Sequence, residues 1–313
     1  MKEVGIFPNE LRDKKYSVKQ ALLIAKELLS LAAIETPILD ARVLLGFVLG
    51  TPEERFYGLE DKSLNETELN NYEKIIKRRC KREPVSRILG QRGFWDLTLK
   101  LNPSSLDPRP DSETLIEAIT KYVPNKNSRL NIIDLGTGTG CLLLAALKEL
   151  PNSFGVGVDI SNNCIKIAKE NAHYNSLSNR TAFLASDWTQ NITDKFDIIL
   201  CNPPYIKETE IKDLEPEVKS FDPYIALNGG SDGLSCYKAI AHQFVKILTT
   251  KGLVFLELGH KQKLSVIKIM KTEGLQTLHI EKDLGNKERC LVLSHDHYLT
   301  KVQFPLGLGE KPY

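Results

Sequence analysis

Asn202-Pro203-Pro204-Tyr205 is the stretch of this sequence whose residue types most directly imply chemistry. Two successive prolines fix the backbone and carry no N–H, so their carbonyls stand as acceptors without competing donors of their own. Asn202 adds a side-chain carbonyl and Tyr205 a flat aromatic face. Such a group can grip a planar –NH₂ by its hydrogens and present the nitrogen to an electrophile. An amide nitrogen is a poor nucleophile because its lone pair is delocalised into the carbonyl. Acceptors on its hydrogens return density to nitrogen, and positioning supplies the rest. Asn202, Pro203 and Tyr205 are therefore candidate catalytic residues, and Asn202, Pro203, Pro204 and Tyr205 together a candidate acceptor-binding group. Taken alone, four such residues also suit a turn. What lies upstream favours the chemical alternative.

Upstream, Asp134-Leu135-Gly136-Thr137-Gly138-Thr139-Gly140 sits where an apolar strand turns into a helix. Glycines let a backbone approach a ligand closely and adopt conformations closed to other residues. Asp159, nineteen residues past Gly140 and at the end of the next strand, is placed to accept from ribose hydroxyls. Together these imply an adenosine-containing cofactor across the strand ends. A nicotinamide site expects G-x-G-x-x-G facing a pyrophosphate. The spacing here is G-x-G-x-G behind Asp134, and a carboxylate suits a cationic sulfonium or amino group better than a phosphate. Asp187-Trp188, closing the third strand, offers a carboxylate for an adenine edge and a ring for stacking, or else a surface turn with a packing tryptophan. Gly136, Thr137, Gly138, Thr139, Gly140, Asp159, Asp187, Trp188 and Asn202 are the candidate cofactor contacts. No metal is expected.

The elements that must position these groups are legible as periods. Ser17 caps a helix with apolar Val18, Ala21, Leu22, Ala25, Leu28 and Leu29. Thr36-Pro37 opens a second, through Leu39, Val43, Leu44 and Phe47 to Gly50. Thr51-Pro52-Glu53-Glu54 repeats the start signal, and a further helix is expected from Glu66 to Arg82. From Arg92 the period changes, and Phe94, Leu97, Leu99 and Leu101 read as a hairpin. Pro108-Arg109-Pro110 then delivers Asp111 as the cap of a helix through Leu115, Ile116 and Ile119. Strand and helix alternate from 130 to 201. A long loop is expected to about Asp232, then a helix to Leu248, a strand from Leu253 to Leu258, another helix, and strands at 275–280 and 289–293. This alternation predicts a mostly parallel sheet with helices on both faces. The expected division is a helical bundle over 1–88 that recognises substrate, a hairpin and linker over 89–110, the catalytic domain over 111–294 and a tail over 295–313.

The 313 residues are 42% hydrophobic and 26% charged, as in an ordinary soluble globular protein. The 42 basic and 40 acidic residues leave a formal charge of only +2, which argues against bulk electrostatic coating of nucleic acid. The charged first twenty residues predict no secretory leader, and the longest apolar stretch, 43–49, is too short for a bilayer. A cytoplasmic monomer without membrane attachment is expected. Six scattered cysteines form no C-x-x-C pair, and Cys201 reads as a small apolar residue rather than a nucleophile.

From about Ser17 to Leu293 the chain resembles the HemK/PrmC family of release-factor glutamine methyltransferases. The matching stretches are 107–113, the Asp134 to Gly140 loop, Ser186-Asp187-Trp188, Asn202 to Tyr205, Gly229 to Leu234, Leu256-Glu257-Leu258-Gly259 and Asp283-Leu284-Gly285. Asp107 departs from the apolar residue expected before Pro-Arg-Pro, and the tail is longer than usual. The resemblance implies a Rossmann-like class I methyltransferase sheet of seven strands behind a small N-terminal bundle. It also implies S-adenosylmethionine as donor, S-adenosylhomocysteine as product, and the glutamine of the release factors' Gly-Gly-Gln motif as acceptor. Carried over, Gly136 to Gly140 wrap the methionine end, Asp159 binds the ribose and Asp187 and Trp188 hold the adenine. Asn202 and Pro203 accept from the target amide, and Tyr205 packs on its plane. Direct nucleic-acid binding is not expected.

Alternatives stay open at this stage: a ribosomal-protein glutamine, or an exocyclic amine of a flipped base, as acceptor. A nicotinamide oxidoreductase is disfavoured by the glycine spacing, and a non-catalytic adaptor by the intact motifs. His295-Asp296-His297 lacks a third ligand for a metal. The basic run Lys74, Lys77, Arg78, Arg79, Lys81, Arg82 reads as a solvated helix face or a site for an acidic partner. Glu208, Glu210, Asp213, Glu215 and Glu217 are not needed as bases, because a methylated amide sheds its proton to water.

Overall fold

The computed structural model describes residues 16–51, 58–190 and 192–295. It forms two compact units. Of the described residues, one comprises those up to Gly90 together with Glu215–Phe221, the other those of Gln91–Leu214 and from Asp222 to His295.

The first unit is helical: α1 (Val18–Leu31), α2 (Pro37–Leu49), α3 (Glu66–Cys80) and α4 (Val85–Leu89). Ser17 and Gln20 close a capping box on α1, and Asn65 and Glu68 close another on α3. Thr36 stands at the N-cap of α2 with Pro37 next, as expected, but its hydroxyl donates to the Asp40 carboxylate at 2.8 Å rather than capping a backbone amide through its oxygen. Gly50 ends α2 in the left-handed region at φ +61. α3 stops at Cys80, two residues short of the expected Arg82, which itself takes φ +69. Leu29, Leu44, Leu45, Tyr72 and Ile76 are fully buried. The Tyr72 hydroxyl, shut from water, donates to the Ala41 carbonyl at 2.9 Å. The start signal at Pro52-Glu53-Glu54 lies outside the described residues, as does the tail beyond His295.

The second unit opens with the expected hairpin, β1 (Gln91–Phe94) and β2 (Leu97–Lys100). Then follow α5 (Glu113–Tyr122), β3 (Asn131–Leu135), α6 (Cys141–Glu149), β4 (Phe154–Asp159), α7 (Asn162–Tyr174), β5 (Thr181–Ala185) and β6 (Phe196–Cys201). After β6 come α8 (Pro216–Phe221), which belongs to the helical unit, α9 (Tyr224–Leu227), α10 (Ser235–Ile247), β7 (Leu248–Glu257), α11 (Lys263–Thr272), β8 (Leu275–Lys282) and β9 (Glu288–His295). The seven main strands run in the order β5-β4-β3-β6-β7-β9-β8, and only β9 is reversed, pairing antiparallel with both neighbours. This is the class I methyltransferase sheet. Alternate residues of its strands feed opposite faces. Ile132, Leu200 and Phe255 pack with α5 and α6, while Ile133, Cys201 and Leu256 pack with α10 and α11. Burial on both faces explains why these strands read as continuous apolar runs.

Further expectations are corrected. Asp111 is not a helix cap: a 3₁₀ turn at Pro110–Ser112 intervenes, α5 starts at Glu113, and Asp111 pairs with Arg289 at 2.8 Å. The loop after Tyr205 is not featureless, since Glu208–Asp213 forms a 3₁₀ turn ahead of α8 and α9. β7 begins at Leu248 rather than Leu253, and His295 ends β9, opposite Leu275.

Gly157 on β4 is a packing requirement. A Cβ there would lie 2.5 Å from the Phe183 ring and 3.0 Å from the Thr137 hydroxyl. Gly157→Ala should therefore destabilise this unit by about 1–3 kcal/mol, the usual cost of overpacking. Urea denaturation followed by tryptophan fluorescence checks it, and an unchanged midpoint would contradict the packing described.

Candidate active site

The site follows from the register of four parallel strands. Leu135 is opposite Val158 on one side and Cys201 on the other, and Cys201 is opposite Leu256. Asp159, Gly136, Asn202 and Glu257 thus emerge side by side at the carboxyl ends of β4, β3, β6 and β7. Ligands bind at this edge in open α/β sheets.

Beyond β3 the chain makes a tight loop in which Gly136, Gly138 and Gly140 all have positive φ, at +77, +54 and +83. Residues with a Cβ are strained there, which accounts for the glycine spacing. Around Gly136 and Gly138 the space is open: added Cβ atoms would come no nearer than 3.8 Å to Trp188 and 4.0 Å to the Gly136 carbonyl. Gly140 has less room, since an added Cβ would meet Ala168 and Leu144 at 3.4 Å, and its φ is what favours glycine.

Two carboxyls organise the loop. Asp134 is 1% exposed; one oxygen accepts from the Thr137 hydroxyl at 2.7 Å, while Oδ1 has no hydrogen-bond partner. Burial, with a smaller contribution from the charge of Asp159, pushes its carboxyl up to about 7. Asp159 accepts from the Gly138 amide and the Ser161 amide, both at 2.9 Å, and burial raises it too. Asp187 is exposed, and Trp188 is half-buried, held at φ +49 with its ring over Gly136. The loop, Asp159 and Trp188 therefore converge. Thr137 and Thr139 point into protein, being 4% and 2% exposed.

At the end of β6 the Asn202 side-chain nitrogen donates to the Ser112 hydroxyl at 3.2 Å. Ser112 in turn donates to Glu257 Oε2 at 2.6 Å, and the Tyr205 hydroxyl donates to Glu257 Oε1 at 3.2 Å. Glu257 is 1% exposed, and burial pushes its carboxyl up to about 7. Gln262 donates to the Tyr205 carbonyl at 2.9 Å and to the Gly233 carbonyl at 3.1 Å, so the backbone after the prolines is fixed as well. Pro203 is buried and Pro204 half-buried. Ser112, Glu257 and Gln262 were given no role from sequence. Each is an ordinary polar residue until the fold brings it to Asn202 or Tyr205.

Groups set aside at the sequence level sit elsewhere. Cys201 is fully buried and burial pushes its thiol well up, so it is no nucleophile. In the basic run Lys74 and Lys81 are exposed, as a solvated face requires, while the other four are paired within the protein. Lys77 pairs with Glu73 at 3.1 Å, Arg78 with Glu83 at 2.6 Å, Arg79 with Asp40 at 2.7 Å and with Glu217 at 3.0 Å, and Arg82 with Glu217 at 2.8 Å. Glu215 and Glu217 lie in the helical unit, Glu208 accepts from Tyr224, and Glu210 pairs with Lys207. The buried Asp107 donates its amide to Asp222 and accepts from Arg92 at 3.4 Å, which gives this departure from the family pattern polar partners.

Two family models match the chain: the PrmC N-terminal domain over residues 20–90 and the methyltransferase small domain over residues 107–215. The chain is 43% identical over 264 residues to the release factor glutamine methyltransferase of Rhodospirillum rubrum, covering 84% of this chain and 81% of that one. It is 39% identical to the release factor glutamine methyltransferase of Agrobacterium fabrum, covering 88% and 96%. Among solved structures, the hMettl16 catalytic domain bound to a 3′UTR hairpin superposes with a TM-score of 0.54 at 19% identity, over 67% of this chain and 79% of that one. That likeness concerns the fold alone. Among the described residues no helix is long and apolar enough to cross a membrane.

The buried Asp134 yields a stability prediction. Its folded pKa of about 7 lies above the ordinary 3.8, so the fold resists its ionised form, and stability is lost as pH rises from about 4 to about 7. Asp134→Asn keeps an acceptor for Thr137 without the charge. The ligand-free variant should be more stable than the parent by about 1–4 kcal/mol at pH 8, with the gap closing toward pH 4. Urea titrations at the two pH values measure it. A variant less stable at pH 8 would show that the charge is not the liability described.

Proposed function

The chain belongs to the release factor glutamine methyltransferase family, and we propose that it methylates the side-chain amide nitrogen of the Gly-Gly-Gln glutamine in a peptide chain release factor, with S-adenosylmethionine as donor. The observation that carries this most is the orientation of Asn202. Its nitrogen is engaged by Ser112, which leaves its carbonyl oxygen as a free acceptor beside the glycine loop.

The residues present fit the donor. A buried carboxylate oxygen without a partner, Asp134 Oδ1, calls for a cation, and the donor's ammonium group supplies one. Gly136 and Gly138 leave open space for its methionine end, Asp159 has acceptor capacity for ribose hydroxyls, and Trp188 offers its ring to the adenine. Asp187, exposed at the strand end, takes the adenine amino edge. When bound, the donor supplies a methyl group activated by a sulfonium. Asn202 Oδ1 and the Pro203 carbonyl accept the two hydrogens of the target amide, and Tyr205 lies against its plane. Holding that geometry removes most of the entropic barrier of a two-body displacement. The methylated nitrogen then releases a proton to water, so no side-chain base is required.

To the helical unit we assign recognition of the protein substrate. Supporting this, Leu39 and Phe47 of α2, two turns apart, are each about half exposed and available to a partner.

The direct test is incubation with labelled S-adenosylmethionine and purified release factor, followed by mass-spectrometric mapping. Label on the Gly-Gly-Gln glutamine is expected; label confined to another protein or to nucleic acid would overturn the assignment. With saturating cofactor, Asn202→Ala should lower the single-turnover rate by about 10²–10³-fold, the scale for losing one well-placed electrostatic contact. Asn202→Asp should remain partly active, because a carboxylate still accepts. Asp159→Ala should weaken cofactor binding by about 1–3 kcal/mol in calorimetric titration; equal affinities would remove Asp159 from the ribose site.

A further inference from the structure

Resting on the methyltransferase reading above, we infer that Glu257, acting through Ser112, sets which end of the Asn202 amide faces the substrate, and that the pair are positioning residues for the reaction. The geometry is a chain of hydrogen bonds with a direction. Ser112 has one hydrogen, and at 2.6 Å it is committed to Glu257 Oε2. Its oxygen can then only accept, and the group at 3.2 Å that donates to it is the Asn202 –NH₂. The carbonyl end of Asn202 is left for the target. Were the amide turned over, its oxygen would face an oxygen with no hydrogen to give. Its –NH₂ would meet the donor –NH₂ of the substrate. A single carboxylate, at the end of the neighbouring strand β7, thus enforces acceptor chemistry at the end of β6.

The chain reverses if Glu257 takes a proton. A neutral carboxyl can donate to Ser112, whose hydrogen is then free for Asn202 Oδ1, and the amide turns its –NH₂ outward. No covalent step is involved, only a proton on Glu257 and two reoriented groups. The groups facing Glu257 are few and oppose one another. Arg289, fixed by Asp283 and Asp111, favours the carboxylate, while Asp111 and burial disfavour it. Tyr205 donates to it, the Tyr237 hydroxyl donates to its backbone carbonyl at 2.9 Å, and the Cys141, Cys201 and Cys290 thiols are neutral. Its carboxyl sits near 7 through burial, so the switch falls at neutral pH. The ionised, acceptor-presenting form prevails above that value and the reversed form below it.

The test combines rates with a readout that needs no substrate. Ser112→Ala should lower kcat on release factor by about 10–100-fold, as loss of a supporting contact does, with KM and cofactor affinity changed far less. Ser112→Thr, which keeps the hydroxyl, should restore kcat. In the parent, kcat should rise with pH through about 7, and Glu257→Gln should abolish that rise. Independently, the Asn202 side-chain amide is observed in a ¹⁵N-labelled sample, assigned by its disappearance in Asn202→Asp. Its resonance should titrate near pH 7 in the parent and in Asp134→Asn, but not in Glu257→Gln. An amide signal that is flat in the parent, or titrates unchanged in Glu257→Gln, overturns the inference, as does Ser112→Ala at the parental kcat. A parent that methylates no release factor overturns the proposed function instead, and the amide titration still decides the role of Glu257.

Discussion

A carboxyl shut away from water must be neutral, hydrogen-bonded or matched by a cation, and this protein buries two of them at one edge of its sheet. Asp134 on β3 and Glu257 at the end of β7 flank β6, which carries Asn202. Most of what is specific about the site answers the needs of these two groups. Thr137 and one loop conformation serve Asp134, leaving one oxygen for a ligand. Ser112, Tyr205 and the Arg289 charge serve Glu257, leaving Asn202 oriented. The parallel sheet is what makes the arrangement possible, because strands running one way end together and bring their last residues into a row.

The site is built at the expense of stability. A glycine loop with three positive-φ positions gives up conformational entropy on folding, and a carboxylate oxygen without a partner is unfavourable until something binds it. The surrounding layers offset this. Ile132, Leu143, Leu147 and Phe255 on one face, with Ile199, Leu256, Tyr237 and Phe244 on the other, are fully buried, each such side chain contributing about 1.5–3 kcal/mol.

In the helical unit, charge is used for specification. Arg79, 8% exposed, sits between Asp40 of α2 and Glu217 of α8, and Arg82 reaches the same glutamate. Buried ion pairs of this kind add little net stability over apolar packing, but breaking one leaves an uncompensated charge. They therefore select one seating for α8, a short helix whose own six residues bury none of their side chains fully. Of a basic stretch that reads in sequence as a solvated face or a site for an acidic partner, Arg79 and Arg82 are drawn into pairs inside this unit, while Lys74 and Lys81 stay exposed.

What the sequence determined by itself is whatever depends on near neighbours. The alternation of strand and helix from 130 to 201 is legible because short apolar runs are bounded by turn residues, and the capping box at Ser17 needs only positions 17 and 20. The glycine loop, Asp159 and the Asn202 to Tyr205 stretch are legible because each is a short motif whose spacing carries its mechanism. Asp111 misleads for the opposite reason: a good local cap is taken by Arg289, 178 residues away. The orientation of Asn202 is decided the same way. Ser112 is 90 residues before it in the chain, and Glu257 is 145 residues beyond Ser112. No local pattern states which hydrogen goes to which oxygen across such distances. That is fixed only when parallel pairing sets the ends of β6 and β7 side by side and burial leaves each polar atom one partner.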